Sequence, residues 1–426
     1  VYLSSSRGAD RASGVRDTAT LAGLPAGRRL AVPANVLALG AVSLVTDVSY
    51  EMVQAVLPVY LVFGLGLSYL AFGFLDGLES GATVLFRLAG AHIADRYQRR
   101  KALAGVGYGL SALSMLGFPL VGRSVAGLGV VRAVERTGKG LRTPPRDALI
   151  SLSSTPATLG RSFGVHRAMD TVGAFCGPIL ALVLLAVVGG AYDAVFVVGC
   201  CLGLVGVVVL IAFVQDHRAP TADRRSVRLR AAAGLLRAPR LRRLCLAATL
   251  LGCCTISDAF VYLVIARRLH LPAGLFPLLP LGTAAGYLLL AVPFGAVADR
   301  IGRWRVFLFG HLALLGAYAT LLSGLGGTAL VVLALALHGV FYAATDGVLM
   351  AFAGSMLPET LRTTGLALVQ TATALGGFAS AVLFGLAWTA WGQVRALQVF
   401  GVALLVVLAA VAPLLRRPAA VRPADA

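Results

Sequence analysis

Thirteen ionisable side chains stand inside stretches that are otherwise apolar: the acids Asp47, Glu51, Asp76, Glu79, Glu135, Asp170, Asp258 and Asp346, and the bases Arg87, Arg132, Arg136, Lys139 and Arg167. Near the centre of a bilayer each costs about 2.5–3.5 kcal/mol, so uncompensated they would cost on the order of 30–45 kcal/mol, several times an ordinary folding stability. They must pair, face water in a cavity, or lose their charge. A carboxyl group in a low-dielectric cavity can take up and release a proton near neutral pH. Asp47, Asp258 and Asp346 are the candidates for that chemistry; Asp47 shares a helix face with Glu51 at i,i+4, and Asp258 follows Ser257. The alternative for each is a carboxylate held by a hydroxyl or an arginine.

The bases have a pattern of their own. At about 100° per residue, Arg132, Glu135, Arg136, Lys139, Arg142 and Thr143 fall in one sector narrower than half a helix circumference, a mostly basic stripe aimed at the bundle interior. Arg132, Arg136 and Lys139 are candidate cavity residues. Lys139 is also spaced to pair with Glu135 at i,i+4, whereas Arg142 and Arg146 read as structural. Pro144-Pro145 predicts the end of this helix, and Pro58 a break beyond Asp47 and Glu51. His338, Tyr342 and Asp346 at i, i+4 and i+8 form a second ligand or relay stripe. His166, Arg167 and Asp170 cluster in the same way, with a packing network as the alternative.

Other chemistry finds no support. Gly138-Lys139 resembles the end of a phosphate-binding loop, but residue 133 is Ala and residue 140 is Gly, so the leading glycine and the magnesium-binding hydroxyl are both missing. Neither a serine triad nor a cofactor box is present, and the six histidines are scattered. The six cysteines all fall in apolar runs without C-x-x-C spacing, which gives neither a disulfide framework nor a metal site. A protein without enzymatic activity, cofactor or metal is expected.

The elements that must position these residues are long and apolar. Of 426 residues, 58% are hydrophobic and 13% charged, with 50 glycines and a mean hydropathy of +0.86; a soluble domain is nearer a quarter charged. Apolar runs lie near 35–63, 69–93, 102–121, 124–142, 160–188, 194–214, 244–266, 277–298, 305–324, 328–352, 362–388 and 396–415. The fourth carries Arg132, Glu135, Arg136 and Lys139, and parity decides for it. The near copies Ala94-Asp95-Arg96-Tyr97-Gln98-Arg99-Arg100 and Ala298-Asp299-Arg300-Ile301-Gly302-Arg303, 204 residues apart, fall on one side only if that run is counted.

With both termini inside, 28 Lys and Arg lie on the cytoplasmic side and four on the other, as the positive-inside rule requires. The net charge of +19 therefore needs no nucleic-acid partner. The predicted fold is an all-α integral membrane protein with twelve transmembrane helices in two pseudo-symmetric six-helix bundles. Its parts are a cytoplasmic polar tail (1–33), an N-terminal bundle (34–214), a basic cytoplasmic linker (215–243), a C-terminal bundle (244–415) and a cytoplasmic tail (416–426). Two related bundles with a central link are the signature of a secondary transporter.

The sequence resembles the major facilitator superfamily from about residue 35 to 415. Gly295-x-x-x-Asp299-Arg300-x-Gly302-Arg303-x-Arg305 matches the superfamily's loop motif between spans eight and nine. The first copy keeps Asp95, Arg96, Arg99 and Arg100, but Ala91 stands where glycine is usual and Gln98 replaces the second glycine. The resemblance implies that these are gating loops, stabilising an outward-facing state by charge contacts with neighbouring helices. Gly173-x-x-x-Gly177-Pro178 is similar to the fifth-helix motif of the proton-antiporter branch, with Ala181 where a further glycine would stand. Its glycines allow close helix approach and its proline a kink. Arg132 lies where the superfamily's fourth-helix arginine is expected. The run Arg136 to Asp147, with Gly164 to Asp170, looks like a bacterial subgroup for which the resemblance supplies no substrate.

These readings lead to an inner-membrane secondary transporter working by alternating access as a single chain in the lipid bilayer. Its expected partners are a small organic substrate and protons, in antiport that exports the substrate. Uptake or exchange of an anionic metabolite on the basic stripe is the alternative, and a non-transporting membrane enzyme or sensor is the third reading.

Overall fold

A computed structural model describes residues 32–79, 81, 99–155, 158–216, 238–357 and 362–416. Most of both predicted tails and of the central linker, together with Arg87, Asp95 and Arg96, lies outside the described residues. The described chain is helical, with no strand among those residues. The helices are α1 (Ala34–Val59), α2 (69–79), α3 (Arg100–Ser114), α4 (Val125–Leu152), α5 (Leu159–Val187), α6 (Tyr192–Phe213), α7 (Pro239–Cys254), α8 (Asp258–Leu269), α9 (Leu278–Ile301), α10 (Arg303–Leu322), α11 (Gly327–Gly354), α12 (Arg362–Trp391) and α13 (Gln393–Arg416). Among the described residues, nine helical segments are long and apolar enough to cross a membrane. With its apolar exterior, including Leu120, Val187, Leu289 and Val292 at 75–82% exposure, the chain is a multi-pass helical membrane protein.

Three further predicted spans take different forms. The second is described over its first turns only. The third is interrupted at Met115–Leu116 and resumes as a five-residue turn, Gly117–Val121. The fourth is the charged α4, 28 residues long, capped where the Ser124 hydroxyl accepts from Gly127 N at 3.1 Å.

Helix contacts fall into two groups. In one, α1 lies against α5 and α6, and α3 against α4 and α6; in the other, α10 packs on α11 and α13, α9 on α11, and α7 on α12 and α13. The groups meet at the end of the molecule that carries Tyr69. There the Tyr69 and Trp388 rings stack at 4.1 Å, Arg267 donates to the Tyr69 hydroxyl at 2.7 Å, and Leu70 N donates to Thr389 Oγ1 at 3.1 Å. Glycines permit this closeness: a Cβ on Gly73 would strike the Ala381 carbonyl, and one on Gly385 the Tyr69 carbonyl.

Proline has less effect than the sequence predicts. Helix α4 runs through Pro144 and Pro145 to Leu152 instead of ending there. Its last turns bury Leu149 and Ile150 against Val36, Leu39 and Tyr108, and Thr143 donates to the Lys139 carbonyl at 2.8 Å. That packing outweighs two missing amide donors, since polar neighbours can satisfy freed backbone groups inside a membrane protein. Pro58 likewise does not stop α1. The chain continues as a π-helical turn, Tyr60–Gly64, with Leu65 N donating to the Tyr60 carbonyl at 2.7 Å.

Span seven, predicted as one run, is broken between α7 and α8 at residues 255–257. Side chains replace the lost helical bonds. Tyr318 accepts from Ile256 N at 2.6 Å and donates to the Cys254 carbonyl at 3.2 Å, and Ser380 donates to the Thr255 carbonyl at 2.6 Å. Irregular backbone at membrane depth survives where protein groups satisfy it in this way. α7 also begins at Pro239, inside the stretch read as linker.

Candidate translocation site

The stripe on α4 does point inward: Arg132 and Arg136 are 4% and 2% exposed. It is not a bare basic surface. Arg132 bonds Glu79 and Glu135, both at 3.0 Å, and the Gln54 carbonyl oxygen at 3.1 Å. Arg136 pairs with Glu79 at 2.6 Å and donates to the Tyr50 hydroxyl. One carboxylate on α2 thus serves two arginines one helical turn apart.

Lys139 does not pair with Glu135, which Arg132 and the Gln54 amide occupy. Its ammonium lies 4.1 Å from the centre of the Tyr50 ring, with Glu51 as its acidic neighbour. Three positive groups (Arg132, Arg136 and Lys139) are therefore matched by Glu79, Glu135 and Glu51. Each charge left unmatched at this depth would carry the full desolvation cost.

The second constellation forms at the break in span seven. Asp258, the first residue of α8, accepts a hydrogen bond from the Tyr342 hydroxyl. His338 Nε2 lies 3.5 Å away, while its Nδ1 is 3.3 Å from the Thr283 hydroxyl of α9. His338 is fully buried, yet the Asp258 side chain remains 42% exposed. The predicted stripe on α11 thus divides: His338 and Tyr342 turn to Asp258, whereas Asp346, a turn further on, is exposed and has Arg167 of α5 and Tyr287 of α9 as neighbours. Asp76 of α2 stands beside Ser257, bringing the first helix group to the same break.

Asp47 lies 3.7 Å from Arg142 and beside Asp170, so it has both an arginine and an acid as company. His166 is hydrogen-bonded to Ser43 at 3.0 Å, and Ser43 accepts from Arg146 at 3.2 Å. Gly173 and Gly177 lie on the α1 contact: a Cβ on Gly173 would come 2.6 Å from the Leu44 carbonyl oxygen, and one on Gly177 2.8 Å from Met52 N. Pro178 follows within the continuous helix α5.

In the second loop motif, Asp299 pairs with Arg303 at 2.9 Å, and Arg303 also donates to the Ala351 carbonyl at 2.9 Å, tying the start of α10 to α11. Gly302, at φ +106°, makes the turn between α9 and α10 that other residues rarely adopt. Gly295 faces open space and Arg300 is exposed. Of the first motif, Arg99 precedes α3 and Arg100 opens it, buried. Sequence reasoning named Glu79 only as one acid among eight and gave Tyr50, Gln54, Thr283 and Tyr318 no role. Their types are ordinary, and only the rotation of neighbouring helices makes them partners.

Two helix groups, a broken span and ionisable side chains turned inward define a polytopic transport protein of the membrane. The profile of the Major Facilitator Superfamily matches residues 39–284 and 258–426, and the chain belongs to that superfamily. It is similar to an MFS-type transporter of Methanocaldococcus jannaschii, 28% identical over 369 residues, 83% of this chain and 88% of that protein. A protein of Mycobacterium tuberculosis is 36% identical over 156 residues, 36% of this chain and 37% of its own length. Among solved structures, the nucleoside transporter NupG superposes with a TM-score of 0.80 at 15% identity, covering 90% of this chain and 100% of that one. A POT family transporter in complex with 5-aminolevulinic acid gives 0.73 at 14% identity, over 90% and 97%. At these identities the likeness concerns the fold.

Proposed function

We propose that this transporter moves a small organic solute by alternating access and couples its export to protons. The two helix groups, taken as bundles 34–214 and 244–415, rock about a central site within a single chain. The observation that carries this reading is Asp258: a carboxylate at a helix break, held by Tyr342 beside His338, with 42% of its side chain open. A charged group so placed can meet a solute or a proton without refolding. Closure at the Tyr69 end, with Asp346 and Arg167 exposed, supports a conformation open at the opposite end. That end is the cytoplasmic one in this reading, both termini lie there, and the membrane is the bacterial plasma membrane.

The anion-uptake alternative rested on the basic stripe, and the pairing of Arg132 and Arg136 with Glu79 and Glu135 removes most of its attraction for an anion. The test is proton flux in oriented vesicles with an acid interior, followed by a pH dye while cationic, neutral and anionic organic compounds are added outside. A compound that drains the gradient only when the protein is present supports antiport, and Asp258→Asn should weaken the response. If no compound does so while labelled anions still exchange, the export reading falls.

A further inference from the structure

The contact between α1 and α5 brings two acids together without giving them enough donors. Asp47 of α1 and Asp170 of α5 are 19% and 13% exposed, and their carboxyl groups stand side by side. Asp170 Oδ1 is buried and accepts no hydrogen bond; Arg146, at 3.9 Å, is too far to supply one. Small residues enforce the encounter. Gly173 lies one turn beyond Asp170, and a Cβ there would stand 3.1 Å from the Asp47 Cβ, so the helices approach at this level to a distance that no larger residue would allow.

Each acid has an arginine within 4 Å, but neither contact is both short and buried. From α4, Arg142 reaches Asp47 at 3.7 Å, Lys139 lies further off, and Arg146 is already paired with Asp147 at 3.0 Å. From α5 itself, His166 is engaged with Ser43, and Arg167 meets the other oxygen of Asp170 at 3.3 Å with its side chain 80% exposed. Two carboxylates in contact repel, and a buried oxygen without a donor is costly; one proton between them relieves both at once.

We propose that Asp47 and Asp170 hold a single proton between them and act as one proton-binding site on the first helix group. The inference deepens the proton-coupled reading and rests on it for the site's role. When the proton leaves to water, two carboxylates remain and draw harder on Arg142, Arg146 and Arg167. Arg167 is the one of these that also neighbours Asp346 of α11. Loss of the proton therefore strengthens the hold of Asp170 on Arg167, across the open end from Asp346.

The test is infrared difference spectroscopy of the purified full chain in lipid, titrated from acid to alkaline pH, reading the carbonyl stretch of protonated carboxyl groups. The wild type should show a band that bleaches as pH rises, and Asp47→Asn and Asp170→Asn should each abolish it. In either variant the remaining carboxylate is left facing arginines with no acid to share a proton. The double variant should lose no more than either single one. A band that survives Asp170→Asn would assign the proton to Asp47 alone and overturn the proposal, as would one that survives Asp47→Asn. Asp47→Glu and Asp170→Glu, which keep the acid, should retain a shifted band and so separate loss of the proton from loss of fold. Vesicle flux is read independently: a wild type that shows the band and no proton-coupled flux refutes the transport reading and leaves the shared proton standing.

Discussion

Gly173 faces Asp47 so closely that a Cβ added to the glycine would lie 3.1 Å from the Asp47 Cβ, and four residues on, one added to Gly177 would lie 2.8 Å from the Cβ of Glu51. The i,i+4 spacing of the two acids on α1 is thus matched by the i,i+4 spacing of two glycines on α5. The resemblance to the proton-antiporter motif rests on these same glycines, and the structure gives them a plain physical task. They set the depth at which two charged helices meet.

Gly177→Ala should therefore destabilise the protein. The new methyl meets backbone, Met52 N at 2.8 Å and the Val48 carbonyl oxygen at 2.9 Å, and backbone cannot step aside as a flexible side chain can. An overpacking cost of about 1–3 kcal/mol is expected. Gly164→Ala, where nothing lies within 4 Å, is the control that should leave the melt unchanged. Thermal unfolding in one detergent distinguishes them.

Glu79→Gln should be worse than any single loss on the α4 stripe. It leaves Arg132 and Arg136, which Glu79 meets at 3.0 and 2.6 Å, with a deficit of one negative charge. The loss should be on the order of 3 kcal/mol, the low end for stripping one partner from a buried pair, since a third of the Glu79 side chain is open to solvent. A double-mutant cycle with Arg136→Gln should recover part of it. Additive losses would show that the pair is not coupled.

Tyr342→Phe removes the hydroxyl that donates to Asp258 while keeping the ring against His338 at 5.2 Å. A hydrogen bond to a charged group is worth about 1.5–3 kcal/mol, so apparent affinity for a transported compound should fall by roughly 10-fold or more. Concentration dependence of the vesicle flux measures this. Unchanged affinity would place the solute away from Asp258.

Locking the Tyr69 end should stop turnover. Leu70 N and Thr389 Oγ1 are 3.1 Å apart and belong to different helix groups. In a variant with its six native cysteines replaced, Leu70→Cys with Thr389→Cys should be joined by a short bifunctional thiol reagent. Transport should cease, with each single variant still active after the same treatment. Full activity of the joined protein would show that the two groups do not separate at this end.

Much of this protein was legible before its structure. Apolar run length and the strong charge bias report the solvent each residue meets, so a helical membrane protein follows directly from composition and order. Helical spacing also shows which side chains share a face, and Arg132 and Arg136 are inside as that spacing requires. It does not show what stands opposite. Lys139 is as well spaced for Glu135 as Arg132 is, yet Arg132 takes the carboxylate and Tyr50 receives the lysine. The break in span seven was hidden for a related reason: a run of apolar residues looks the same whether its carbonyls bond to their own helix or to Tyr318 and Ser380. Periodicity is a property of one helix, whereas pairing, backbone rescue and the Asp47–Asp170 encounter depend on the rotation and separation of neighbouring helices, which only tertiary packing decides.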